Sequence, residues 1–402
     1  MSNFNRRSFL KMLGVGAGAA VGTRIGGPAF VGDALAQQAA GRPALLLIHL
    51  NGGYNAIFGS ARPFLNNGQF GGVNAGNTFQ VPGGGPLVDA SLGRLPQMAR
   101  SQIATVGVNH RQSAHGAAQM AGVTKGGVAF PIQLAAAMGG DGSIKCASLG
   151  QGGMPQGLTG TTGGVSLQNI NDVRSTIDAL KGNANLADRG IAGRALEQSQ
   201  VMSAGRFGAS PKSLNDLKDG YDTVIGTLKK APAPYNFDTI MPAYGVNGTA
   251  VGNNFAAKLG AAELMIRAGS NVVIAGDGGW DSHGDSQGNN VRNMMNTRII
   301  PPLITFFNRL WVDNAEGVQR NVVVCIMGDF ARSSPRSDHA TGVAATVIGA
   351  TIKPGTTGQT DGNVGFNPGL PGGEGLYQML SAALKISGSP FGPNTAHASL
   401  IA

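Results

Sequence analysis

Three features of the sequence predict an α/β fold in which a mostly parallel sheet is sandwiched by helices. Apolar runs recur at Leu45-Leu46-Leu47-Ile48, at Ile103 to Val108, at Val272 to Ala275 and at Val322 to Met327. Continuous apolarity, rather than alternation, marks strands buried on both faces, as in parallel sheets covered by helices. Helical periodicity separates the runs: Phe255, Leu259, Ala262 and Ile266 precede Val272, and Leu303, Phe306 and Leu310 precede Val322. Alternation of this kind is the mark of helix-covered sheets. The runs also end directly in acids and histidines, and α/β proteins present ligands at the carboxyl ends of their strands.

In chain order, the first element is an export signal. Asn5-Arg6-Arg7-Ser8-Phe9-Leu10-Lys11 leads into an apolar small-residue stretch from Met12 to Gly22, and Ala34-Leu35-Ala36 supplies a cleavage site before Gln37. This is the pattern of a twin-arginine signal over residues 1–36. A membrane anchor is disfavoured, because the uncharged stretch ends by Arg24 and is rich in Gly and Ala. The expected location is the periplasm or the extracellular space, with the twin-arginine translocase as a partner during export. About 366 residues then remain, enough for a single α/β domain over 37–402.

The Leu45 run ends at His49-Leu50-Asn51-Gly52-Gly53-Tyr54-Asn55, and the Ile103 run ends at Asn109-His110 before Ser113-Ala-His115-Gly. Gly- and Asn-rich loops at 64–85 and 150–165 carry little periodicity. Helices are expected over 167–180, 191–202 and 214–228, ending at Lys230-Ala-Pro232-Ala-Pro234. Residues 150–234 therefore read as a Gly-rich and helical insertion. Val291 to Ile300 reads as a helix that Pro301-Pro302 kinks or restarts, Ala344 to Ile348 as a strand, and Tyr377 to Leu384 as a final helix.

Composition narrows the function classes. The formal charge of +9 falls to about +6 once the signal takes away four basic residues and one acid. The remaining basic residues are scattered, with Lys229-Lys230 their only adjacent pair, which argues against a nucleic-acid footprint. Cys146 and Cys325 exclude a Cys-rich metal site, and a redox protein would need a Cys cluster or haem motif that is absent. The default for both is a small buried side chain, with a disulfide as the alternative.

Only 13% of the chain is charged, so acids and histidines gathered at two strand ends stand out. Asp277, Asp281 and His283 follow one run; Asp329, Arg332, Asp338 and His339 follow the other. Carboxylates and imidazoles together suit a divalent metal: zinc first, with manganese, iron, magnesium or calcium as alternatives. The planar fork of Arg332 suits a phosphate or sulfate. Ser113 offers a nucleophile or an oxyanion contact. Structural readings stand beside these: turn formation for Asp277 and Asp329, a helix-cap contact for His283, an ion pair for Arg332 and a plain turn for Ser113. His110 and His115 suit either reading, and His49 and His397 read as structural.

The twin-arginine start, Leu50-Asn-Gly-Gly-Tyr-Asn55, Ser113-Ala-His115-Gly-Ala-Ala-Gln119, Gly278-Gly-Trp-Asp281-Ser-His283 and Gly328-Asp-Phe-Ala-Arg332 with Asp338-His339 resemble domain-of-unknown-function family 1501. This is an exported bacterial family grouped with the alkaline-phosphatase-like superfamily of phosphatases and sulfatases. The resemblance implies a three-layer α/β/α sandwich and a metal-dependent hydrolase of phosphate or sulfate esters. Asp281, His283, Asp338 and His339 match the motif positions that resemble the superfamily's metal ligands. Asn55 stands where the family has Asp, and Gly328 to Arg332 replaces its Ser-Glu-Phe-Gly-Arg. Loss of the first-strand carboxylate implies one metal instead of two, or an inactive relative acting as an envelope binding protein.

Overall fold

The computed structural model describes residues 43–67, 72–140, 142–180, 237–312, 321–334, 337–358 and 369–402. The export signal and the helices expected at 191–202 and 214–228 lie outside these residues. Nine strands form one sheet: β1 (Pro43–Leu50), β2 (Ile103–Val108), β3 (Cys146–Leu149), β4 (Thr161–Thr162), β5 (Val165–Ile170), β6 (Val272–Asp277), β7 (Asn321–Gly328), β8 (Val343–Ile348) and β9 (Gly355–Thr357). Their spatial order is β9-β2-β8-β7-β1-β6-β3-β5-β4. β1 lies at the centre, parallel to β6 on one side and β7 on the other. β8 runs antiparallel to both its neighbours and β4 antiparallel along one edge, while the other pairings are parallel.

The continuous apolar runs are explained by burial on both faces. Along β1, Leu46, Ile48 and Leu50 join one apolar cluster, shared with α3 (Phe255–Arg267) and α4 (Ile300–Phe307). Leu45 and Leu47 join a second, shared with α2 (Phe130–Ala137) and α5 (Gly373–Ala383). Each such side chain, removed from water, contributes about 1.5–3 kcal/mol, so an alternating polar residue would be costly on either face. At the start of α3 the side chain of Asn254 accepts from the amides of Ala256 and Ala257, satisfying two otherwise orphaned donors.

The prolines 301 and 302 do not break their helix. Helical turns run without interruption from Asn289 to Val312, and the turn before the prolines, Met295–Ile299, is widened to π geometry. A widened turn relieves the clash between a proline ring and the carbonyl four residues earlier. Residues 167–180 depart from the expectation: β5 occupies Val165–Ile170, and the helix begins only at Val173. Pairing of β5 with β3 overrides the Leu167 and Ile170 spacing that resembles a helix. The glycine-rich segment before it contains β4. Cys146 and Cys325 are buried free thiols, so the disulfide alternative is discarded. Among the described residues, no helix is long and apolar enough to cross a membrane.

Candidate metal centre

β1, β6 and β7 run in register, so Leu50, Asp277 and Gly328 lie side by side at their carboxyl ends. The loops leaving this edge carry the predicted cluster. After β1, Gly52 and Gly53 adopt φ of 113° and 118°, a region that disfavours side chains. A Cβ on Gly52 would lie 2.3 Å from the amide nitrogen of Asp281, and one on Gly53 2.8 Å from Nε of Arg332. The two glycines let the β1 turn lie against both site loops. Beside it, Tyr54–Asn55, Ala331–Ser334 and Asp338–His339 form a small sheet that sets Arg332 opposite both Asn55 and His339.

Four side chains converge: His115 at the start of α1 (His115–Val123), Asp281 and His283 after β6, and His339 after β7. One ligand atom from each lies within 4.8 Å of every other. The hydrogen bonds around the rings determine which nitrogen faces the centre. Nδ1 of His115 donates to the carboxylate of Asp329 at 2.7 Å, and Nδ1 of His339 donates to the Ser113 carbonyl at 2.6 Å. Nδ1 of His283 lies 3.3 Å from Asp338. Nδ1 of His115 and of His339 is thereby spent on an acceptor, and all three Nε2 atoms lie around one carboxylate. Those of His115 and His283 lie 3.7 and 3.4 Å from Asp281. That of His339 lies 3.4 Å from the Arg332 nitrogen that holds the same carboxylate. Such outer acceptors fix tautomer and ring orientation in metal sites. Desolvation lowers the pKa of His339, opposed by its bond to the Ser113 carbonyl and reinforced by the field of Arg332.

Asp329 is buried behind this cluster. Besides His115, its carboxylate accepts from the Gly52 amide at 3.2 Å and from Nε2 of Gln119 at 3.1 Å, and its other oxygen lies 3.3 Å from Nε2 of His49. His49 spends Nδ1 on the Gly153 carbonyl, and burial lowers its pKa while Asp329 opposes that shift. His110 donates to the backbone carbonyl of Asp329 at 2.8 Å, and its pKa is lowered by desolvation. Asp329 thus orients a prospective ligand from behind.

The remaining predicted residues divide. Asp338 sits outside the four-residue group, against His283. Asp277 is turned away from the cluster, its Oδ2 accepting from Trp280 at 2.8 Å and paired with Arg298 at 2.6 Å. Arg332, read from the sequence as an anion contact, is fully buried. It donates to the carbonyls of Gly52 and Ser337 at 2.6 and 2.7 Å and to the Asp281 carboxylate. The geometry makes Arg332 the support of Asp281, with its fork spent on protein oxygens. Ser113 enters through its carbonyl. Asn55 is buried, its amide donating to the Ser337 hydroxyl at 3.2 Å and its oxygen accepting from the Ile57 amide. His115 was not placed among the metal ligands by the sequence reading, although its position after a strand end resembles theirs.

Comparison with known proteins adds the following. Residues 235–368 match the model of a family described as a protein of unknown function, DUF1501, the family whose motifs the sequence resembles. That segment carries Asp281, His283, Arg332 and His339. No curated protein matches the chain. Among solved structures, an alkaline phosphatase from the Antarctic bacterium TAB5 is 10% identical, with a TM-score of 0.32, covering 87% of this chain and 100% of its own. A mutant of that enzyme with magnesium bound is 11% identical, with a TM-score of 0.30 and the same coverage.

Proposed function

We propose that this chain is an exported metal-dependent hydrolase of phosphate or sulfate esters, with His115, Asp281, His283 and His339 as ligands of one divalent ion. The observation that carries the reading is the convergence of three imidazoles on the Asp281 carboxylate, with Nδ1 of His115 and of His339 held by Asp329 and the Ser113 carbonyl and Nδ1 of His283 beside Asp338. Three nitrogens and one carboxylate favour zinc, with manganese or iron next; magnesium and calcium prefer all-oxygen sites. Bound there, the ion would polarise an ester oxygen and supply a nucleophile at neutral pH. The protein's own part is positional. Asp329, Asp338 and the Ser113 carbonyl hold the rings, and Arg332 holds Asp281. Side chains of Asp281 and His283 are 53% and 50% exposed, so an ester can approach without a buried tunnel.

A three-layer α/β/α sandwich of alkaline-phosphatase-like type is supported by the two apolar clusters on opposite faces of β1 and by the family match. Export by the twin-arginine translocase to the periplasm or beyond is supported by the Arg6-Arg7 motif and the cleavage site. A second reading, an inactive relative that binds an envelope ligand, draws on one observation: Arg332, the guanidinium nearest the cluster, is spent on protein oxygens.

Elemental analysis of the exported protein, purified without chelators, separates the two. Near-stoichiometric zinc, manganese or iron that is lost in His283→Ala, together with turnover of aryl phosphates or sulfates, is the expected result. Metal without turnover would favour the binding protein, and no metal even after reloading would remove the metal centre.

A further inference from the structure

The carboxyl end of β6 also borders a cavity lined by residues other than the four of the cluster. This cavity of about 560 Å³ opens between the start of α3 and the helix that carries α4, lined by Tyr244, Asn253, Phe255, Ala256, Asp277 and Arg298 among others. Among the described residues, Asp277 is the carboxylate in the wall and pairs with Arg298, while Lys258 lies outside the wall and reaches Asp277 through its field. Lys258 is buried and donates to the carbonyls of Gly152 and Gly276, both at 2.6 Å, so no carboxylate touches it. Arg298 uses a single nitrogen, Nη2, for Asp277 and for the Gly278 carbonyl. Among the described residues its Nε and Nη1 donors meet no acceptor, and the side chain is 40% exposed. A partly exposed guanidinium with two unspent donor groups, and a second cation, Lys258, buried close to its Asp277 partner, is complementary to an oxyanion. The rings of Tyr244 and Phe255, with Pro301 and Pro302, add an apolar side.

We propose that this cavity binds a small organic oxyanion, a carboxylate or phosphate with an apolar ring or chain, through Arg298. The site is separate from the metal centre and does not depend on its assignment.

The test is calorimetric titration of benzoate and of phenyl phosphate into the His283→Ala protein stripped of metal, so that the cluster cannot contribute. Both probes should bind, and Arg298→Gln should weaken them about tenfold or more, the size expected for losing a charge-assisted hydrogen bond. Because Arg298→Gln leaves Asp277 unpaired, a second variant, Ala256→Phe, fills the cavity and keeps both charges; it should abolish binding with the fold intact by circular dichroism. No binding by the unfilled protein at millimolar probe, or equal binding by the filled variant, would overturn the site. Binding of phenyl phosphate with no binding of benzoate would restrict the ligand to phosphates.

Discussion

Asp329 shows how much a single side chain can organise. Its carboxylate gathers donors from the β1 turn, from both ends of the first turn of α1, and faces His49, while its backbone carbonyl takes His110. Asp329→Asn removes the charge that holds the Nδ1 proton of His115. It should lower metal affinity by about 10–100-fold, as other losses of an outer-sphere partner do, while His339 and His283 keep theirs; competition with a chromophoric chelator reads this out. Histidines that fold into neutral, buried positions also set the acid limit. Burial pushes His397 down to about 4, and His49 and His110 are lowered as well. Their folded pKa values lie below the unfolded 6.5, so the unfolded chain binds more protons in that window. Stability is full above about pH 6.5 and falls as pH drops toward 4. Thermal melts across this range should show a falling midpoint, and His397→Gln should flatten the fall. From sequence, His49 and His397 read as structural, and both are buried; the Asp329 hub was not legible, because its partners lie more than 200 residues away.

At the level of elements, the site is an arrangement of turns on a rigid edge. The strands that carry it were readable because β1, β6 and β7 each hold a continuous apolar run, and their ends were readable because polarity switches abruptly there. β5 was misread as helix because its support is a partner strand distant in sequence. Among the described residues, three non-glycine residues have left-handed backbone, and two of them flank the centre: Arg111 precedes the Ser113 turn, and Ser337 gives its carbonyl to Arg332. Strain of this kind collects where loops are shaped for chemistry. The β1 turn is the least tolerant piece. Gly52→Ala adds a Cβ 2.3 Å from the Asp281 amide at positive φ, so it should cost more than about 1–2 kcal/mol and displace Asp281. Chemical denaturation should show the loss of stability, and metal analysis the loss of the ion; a variant as stable and as metal-rich as the parent would mean the turn is not packed this way.

For the whole molecule, the centre joins parts that are far apart in the chain. His115, Asp281, His283 and His339 lie on three separate loops leaving one edge of a sheet whose two faces are both buried. An ion bound only by the folded state stabilises it by mass action, about 2.7 kcal/mol at a hundredfold excess over the dissociation constant. The melting temperature should therefore rise with added zinc in the parent and stay constant in His283→Ala, measured by calorimetry. Such coupling could not be read from motifs alone, since Ser113-Ala-His115 lies far from the other ligands and only the sheet order brings it in.

The half exposure of Asp281 and His283 has a further meaning for the ion itself. Among the described residues nothing closes over these side chains, so an ion bound there would exchange with the surroundings instead of being trapped at folding. Ambient supply and the intrinsic ranking of the divalent ions, in which copper outcompetes zinc, would then decide what is found there. The metal in any one preparation would report the medium the protein last equilibrated with, and assays after controlled reloading would be needed to identify a working ion.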